Sequence, residues 1–212
     1  MKQETKELQS RIAATHGLAK LTSLRQEAAM EVRVMGMKGP SVSSRLIFDL
    51  KNHRGRIEFI ENGKLIRLYQ ETAEGRVFWT AKAGRTALGP AKVPFDFVPN
   101  MQSGLMGAIA LGNTRDAIQI KQADAIGKQK GTSLTRTQTA RLIPLMQGRG
   151  DLTLESCESV WTYLIAADGT LLAERVVQTA ASNSKKRVVQ EFYYDRFETI
   201  SGVKVPVELG VK

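Results

Sequence analysis

Three dipeptides constrain this chain more than any other feature. Asn62-Gly63, Asp168-Gly169 and Ser201-Gly202 each separate two runs in which apolar and polar residues alternate. Residues that tolerate positive φ close tight hairpins, and period-two alternation puts successive side chains on opposite faces of a strand. Ala28, Met30, Val32 and Val34 alternate with Ala29, Glu31 and Arg33; Leu46, Phe48 and Leu50 alternate with Arg45, Ile47, Asp49 and Lys51; Ile57 and Phe59 alternate with Arg56 and Glu58. Trp161 to Ala166 meets Leu171 to Thr179, and Val188 to Thr199 meets Val203 to Leu209. The pattern predicts a mainly β protein of about ten antiparallel strands. So many strands twist and curl, so the expected form is a strongly curved antiparallel sheet with one apolar face, wrapped around helices.

Two segments break this rhythm. In residues 1–24, Leu8, Ile12, Ala13, Leu18, Leu21 and Leu24 recur three or four apart, which predicts an amphipathic helix with a weak point at Gly17. Residues 97–114 carry no charge at all, in a chain where 25% of residues are charged. Pro99, Asn100, Gln102, Ser103 and three glycines make that window too polar and too broken to span a bilayer. It reads as a soft apolar helix inserted in mid-chain, placed to cover the apolar face. The length of 212 residues suits a single domain, 1–212.

The formal net charge of +10 favours anionic partners. Six of the basic residues lie between Lys121 and Arg149, with only Asp124 against them. One reading of the chain is therefore a basic module that docks on anionic membrane, nucleic acid or a partner protein. Cys157 is the only cysteine, so no internal disulfide forms, and the flanking Glu155 and Glu158 argue against a reactive thiolate. The opening MKQETKELQ is too polar for a signal peptide.

Motifs for chemistry are scarce. His16 and His53 are isolated, and no HxxxH, CxxC, GxSxG or GxGxxG occurs. Gly127-Lys-Gln-Lys-Gly-Thr-Ser133 has the flavour of a phosphate loop without its spacing. Asp49 and Glu58 could form an acid–base pair, but they alternate with the apolar residues and should be solvated outer-face carboxylates. The aromatic residues are scattered rather than clustered, which disfavours nucleic acid. The expectation is a non-enzymatic binder without cofactor or metal.

The C-terminal sequence Phe192-Tyr-Tyr-Asp-Arg-Phe-Glu-Thr-Ile-Ser-Gly-Val-Lys-Val-Pro-Val-Glu-Leu209 resembles the closing hairpin of the outer-membrane lipoprotein-sorting proteins, the LolA/LolB and LppX-like envelope carriers. Gly17-Leu-Ala-Lys-Leu-Thr-Ser-Leu-Arg25 before a long first strand is similar to that family's opening. Arg54-Gly-Arg-Ile-Glu58 before the Asn62-Gly63 turn, and the apolar insertion, agree in order. The resemblance implies a half-barrel with helices on its concave side, an apolar cavity for acyl chains, and a place in the periplasm or on the envelope. It implies a monomeric carrier of a lipid or acylated protein, and it carries over no catalytic residue. Arg45 and Arg56 are the candidates for that family's gating arginine. The cavity lining would be Met30, Val32, Leu46, Phe48, Leu50, Ile57, Phe59, Ile66, Leu68 and Trp79. The lid would be Met101, Leu105, Met106 and Ile109.

Overall fold

The computed structural model describes residues 2–34, 37–49, 51–52, 54–72, 74–89, 108–109, 111, 118–147 and 151–211. The protein is mainly β, with antiparallel sheets and one N-terminal helix, α1 (Lys2–Thr15). Fourteen strands are described rather than about ten: β1 (Ser23–Val34), β2 (Met37–Asp49), β3 (Arg54–Glu61), β4 (Lys64–Glu71), β5 (Arg76–Thr80), β6 (Gly84–Gly89), β7 (Ile118–Ile126), β8 (Gln129–Gln147), β9 (Asp151–Ile165), β10 (Leu171–Ala180), β11 (Asn183–Tyr194), β12 (Phe197–Ile200), β13 (Val203–Pro206) and β14 (Leu209–Val211). They form two six-stranded sheets, β1-β2-β3-β4-β5-β6 and β14-β11-β10-β9-β8-β7, and the hairpin β12-β13. Among the described residues neither sheet closes into a barrel. The chain divides into two compact units, Met1–Lys20 with Phe97–Lys212, and Leu21–Asp96.

The turns follow the dipeptides. Asn62 (φ 49) and Gly63 (φ 77) both take positive φ between β3 and β4, as do Ser201 (φ 51) and Gly202 (φ 78) between β12 and β13. These angles match a tight hairpin to the right-handed strand twist. At the β9–β10 corner the Asp168 carboxylate accepts from Thr170 N–H and Oγ1, both at 2.8 Å. The Gly127 segment is the β7–β8 hairpin turn followed by strand, with no helix after it, so its likeness to a phosphate loop goes no further.

In the smaller unit, register fixes the buried face. Leu46 opposes Ile57, Ile57 opposes Tyr69, and Tyr69 opposes Phe78, and all four are buried. On the other face Glu27 opposes Arg45, Arg45 opposes Glu58, and Glu58 opposes Leu68. Arg45 bridges Glu27 at 2.9 Å and Glu58 at 3.3 Å, and Arg56 holds Glu58 at 2.7 Å. Glu58 is therefore a buried, twice-paired carboxylate rather than a solvated one.

In the larger unit, α1 packs Ile12 into a core of Leu134, Trp161, Tyr163, Ile165, Leu171, Val176, Phe192 and Tyr194, with Leu8 and Leu18 against it. The helix ends at Thr15 rather than running to residue 24. Gly17, at φ +65, terminates it instead of kinking it, and Leu18–Lys20 forms one 3-10 turn. His16 is wholly buried at this end. Its Nε2 accepts the Leu171 N–H at 3.2 Å, so Nδ1–H must donate to the Lys204 carbonyl at 2.9 Å. Burial, chiefly, holds this imidazole below its usual pKa, helped by the nearby Lys204 ammonium.

A protonated ring would lose the Leu171 bond. The folded pKa lies below the unfolded value of 6.5, so the stability His16 contributes is present above that pH and lost as pH falls beneath it. His16→Leu should cost about 2 kcal/mol at pH 7.5, because two backbone groups lose their partner. That difference should narrow by up to about 1.4 kcal/mol per pH unit below pH 6.5. Urea midpoints of both proteins at pH 7.5 and 5.5 check this.

Candidate functional site

The buried face of the larger sheet is the candidate site, because polar groups recur there among aromatic ones. Register places Leu134, Tyr163, Glu174 and Phe192 in one row across β8, β9, β10 and β11. Arg136, Trp161, Val176 and Gln190 form the next row, and Ser159 and Gln178 face each other in the row beyond. Side chains two apart on a strand share a face, so the three rows make one surface that turns more polar from Leu134 towards Gln178.

Arg136 is 4% exposed. Its Nε donates to the Tyr163 hydroxyl at 3.1 Å, and its guanidinium lies 5.9 Å from the Trp161 ring centre and 5.8 Å from that of Tyr163. The two rings stack at 6.3 Å. Aromatic faces offer a desolvated cation part of what water would have supplied. Beside it the Tyr194 hydroxyl donates to Glu174 at 3.0 Å. Desolvation drives the Glu174 carboxyl up to about 8, against the opposing pulls of the Tyr194 hydrogen bond and of Arg136. Glu174 is thus mostly a neutral acid at pH 7, and burial together with that carboxyl pushes the Tyr194 phenol well up. Among the described residues, Gln178 Oε1 and Trp161 Nε1 are buried without a hydrogen-bond partner.

The window between Asp96 and Arg115 is described only at Ala108, Ile109 and Leu111, which are helical and buried. Ala108 and Leu111 belong to the same core as Trp161, Tyr163 and Phe192. The Leu111 carbonyl accepts from Gln9 of α1 at 2.7 Å. Met101, Leu105 and Met106 lie outside the described residues.

The expected lining divides. Leu46, Phe48 and Ile57 are buried on the common face of the smaller sheet, where Phe59 is half-buried. Leu68 and Trp79 oppose each other in register on the face that carries Glu58, and Ile66 shares it two residues before Leu68. The phase of β4 and β5 is the reverse of the one expected, and Tyr69 and Phe78 hold the buried positions instead. Tyr69 donates to Glu71 at 2.6 Å, which lets a phenol and a carboxylate occupy an apolar face. Met30 and Val32 lie on β1, Met30 opposite Val42, with their side chains outside what is described, and Leu50 is outside the described residues. Arg45 and Arg56 both lie on the Glu58 face, away from Leu46 and Ile57.

Arg136, Glu174 and Gln178 were not singled out from the sequence, although a signal exists. Each is a polar residue in the apolar phase of its strand, as in Leu134-x-Arg136 and Glu174-x-Val176-x-Gln178. Of the basic run from Lys121 to Arg149, Lys121 is paired with Asp124 at 2.8 Å and Arg136 is buried. No group of three or more metal-ligating side chains gathers among the described residues. Comparison of the chain with protein-family models, with curated proteins and with solved structures finds no match.

Proposed function

We propose that this protein binds the alkyl part of a lipid or of an acylated protein, as a non-enzymatic carrier of the cell envelope. The carrying observation is the burial of Ala108 and Leu111 from the uncharged window against the aromatic face of β8 to β11. An apolar segment packed on an aromatic sheet face supports reading that segment as the lid of a half-open barrel. Burial of alkyl chain would supply the affinity, at roughly 0.8 kcal/mol per methylene. Methionines in the window suit a lid that meets chains of different shape, because the thioether side chain adapts easily.

The test is retention of a fluorescent fatty-acyl probe by the purified protein, with mass spectrometry of lipid extracted from it. Affinity should rise by up to about fourfold for each methylene added to a competing alkyl chain. It should change little with salt, whereas docking by surface charge weakens steeply as ionic strength rises. Ile109→Asp should release the probe and leave the β-sheet circular dichroism in place. A protein that carries no lipid and retains no probe at any chain length would overturn the proposal.

A further inference from the structure

We infer that the corner formed by Gln178 and Trp161 receives the polar linkage of the ligand, a neutral group that both accepts and donates a hydrogen bond. The inference rests on the carrier reading and names the class of molecule carried. Gln178 is 1% exposed and Trp161 7%, and neither Gln178 Oε1 nor Trp161 Nε1 has a partner among the described residues. Burying a polar atom without a partner is costly, so two of them on diagonal positions of one sheet face call for an occupant.

The chemistry of that occupant follows from the atoms. An indole N–H is only a donor, and an amide oxygen only an acceptor. The partner must therefore accept from Trp161 and donate to Gln178. Val176 opposes Trp161 across β9 and β10, and Gln178 stands two residues further along the same face. Diagonal neighbours of this kind are roughly 7–8 Å apart at Cα, a gap that one small polar group with a hydrogen bond at each end can span. Ser159, buried opposite Gln178, adds a hydroxyl to the same corner. Arg136 stands beside Trp161, but its guanidinium already bonds the Tyr163 hydroxyl and lies over the two aromatic rings. The unsatisfied atoms thus ask for a neutral amide or alcohol rather than a carboxylate. An ester, which only accepts, would leave Gln178 unpaired.

Three ligands with the same sixteen-carbon chain separate these cases: hexadecanamide, hexadecan-1-ol and methyl hexadecanoate. Each is used to displace the fluorescent acyl probe from the full-length chain. The amide, the alcohol or both should displace it at roughly tenfold lower concentration than the ester, and the stronger of the two identifies the linkage. Gln178→Met keeps the side-chain volume and removes the unpaired oxygen, so it should erase that preference. Equal displacement by all three ligands on the wild type would overturn the inference and leave the carrier reading standing, with the corner satisfied by water. A preference that survives Gln178→Met would also overturn it. No retention of the probe at all is the separate result that removes the carrier reading itself.

Discussion

Gly17→Ala is expected to lower the stability of the larger unit by about 3 kcal/mol or more. Two effects add. Gly17 sits at φ +65, a conformation that costs an L-residue roughly 1–2 kcal/mol. A Cβ at this position would also overlap the carbonyl oxygen of Gly202, with that carbonyl carbon at 3.2 Å and Val203 Cα at 3.4 Å. These are backbone atoms of the β12–β13 hairpin, held in place because Lys204 N–H donates to the His16 carbonyl at 3.2 Å. They cannot swing away as the end of a side chain could. The whole latch between the end of α1 and the hairpin would have to open, and it carries the His16 hydrogen bonds with it. Gly202→Ala is the matched control. Its φ of +78 is similar, but the atoms in its way are the far end of Lys20, with Nζ at 2.9 Å, which can move. It should cost only about 1–2 kcal/mol. Urea unfolding followed by Trp161 emission in a Trp79→Phe background reports this unit. Equal midpoints for the two variants would mean that the backbone overlap is relieved without loss.

The same latch shows which parts of the fold a sequence exposes. Ser201-Gly202 is legible as a hairpin because its requirement is local: two adjacent residues must accept positive φ. That Gly17 must be glycine is not legible, because the atom that forbids a side chain lies 185 positions away in the chain. His16 fails to declare itself for the same reason, since both of its partners, Leu171 and Lys204, come from the far end of the sequence.

The mainly β class and the antiparallel pairing were readable, because alternation and turn chemistry are short-range signals. The phase of β4 and β5 was not. Lys64-Leu-Ile-Arg-Leu-Tyr-Gln-Glu71 places apolar groups in both phases, so sequence alone favours Leu68. A register shift between Phe59 and Ile60 sets Arg67, Tyr69 and Glu71 in phase with the buried row. Tyr69 is tolerated there because Glu71 accepts its proton donor. The candidate site hides for a related reason. Arg136, Glu174 and Gln178 interrupt the apolar phases of β8 and β10, and nothing local says that β9 brings these two strands together with the three residues on one face.

Glu174 supplies the second large effect, a loss of stability of about 2 kcal/mol between pH 6.5 and 8. Its unfolded value is near 4.5, and desolvation raises the folded value to about 8 against the pull of the Tyr194 hydrogen bond. Between those limits the folded chain holds a proton that the unfolded chain has released. Unfolding therefore gives up a proton, and rising pH favours it. The contribution is complete below about pH 4.5, falls by about 1.4 kcal/mol per pH unit through the window and is exhausted above about pH 8. His16 has the opposite sign and acts only below 6.5, so the upper part of the window belongs to Glu174. The neighbours are Tyr194, which donates to the carboxyl, and Arg136, whose charge favours ionisation but does not offset desolvation. Glu174→Gln retains an acceptor for the Tyr194 hydroxyl and an N–H in place of the acid proton, so it should match the wild type near pH 6 and hold its stability up to pH 8. Denaturant midpoints of both proteins at half-unit steps, read through Trp161, give the two curves. A wild type as flat as the variant would mean that Glu174 is already ionised in the fold, paired to Arg136, and that the buried face of this sheet carries no net charge.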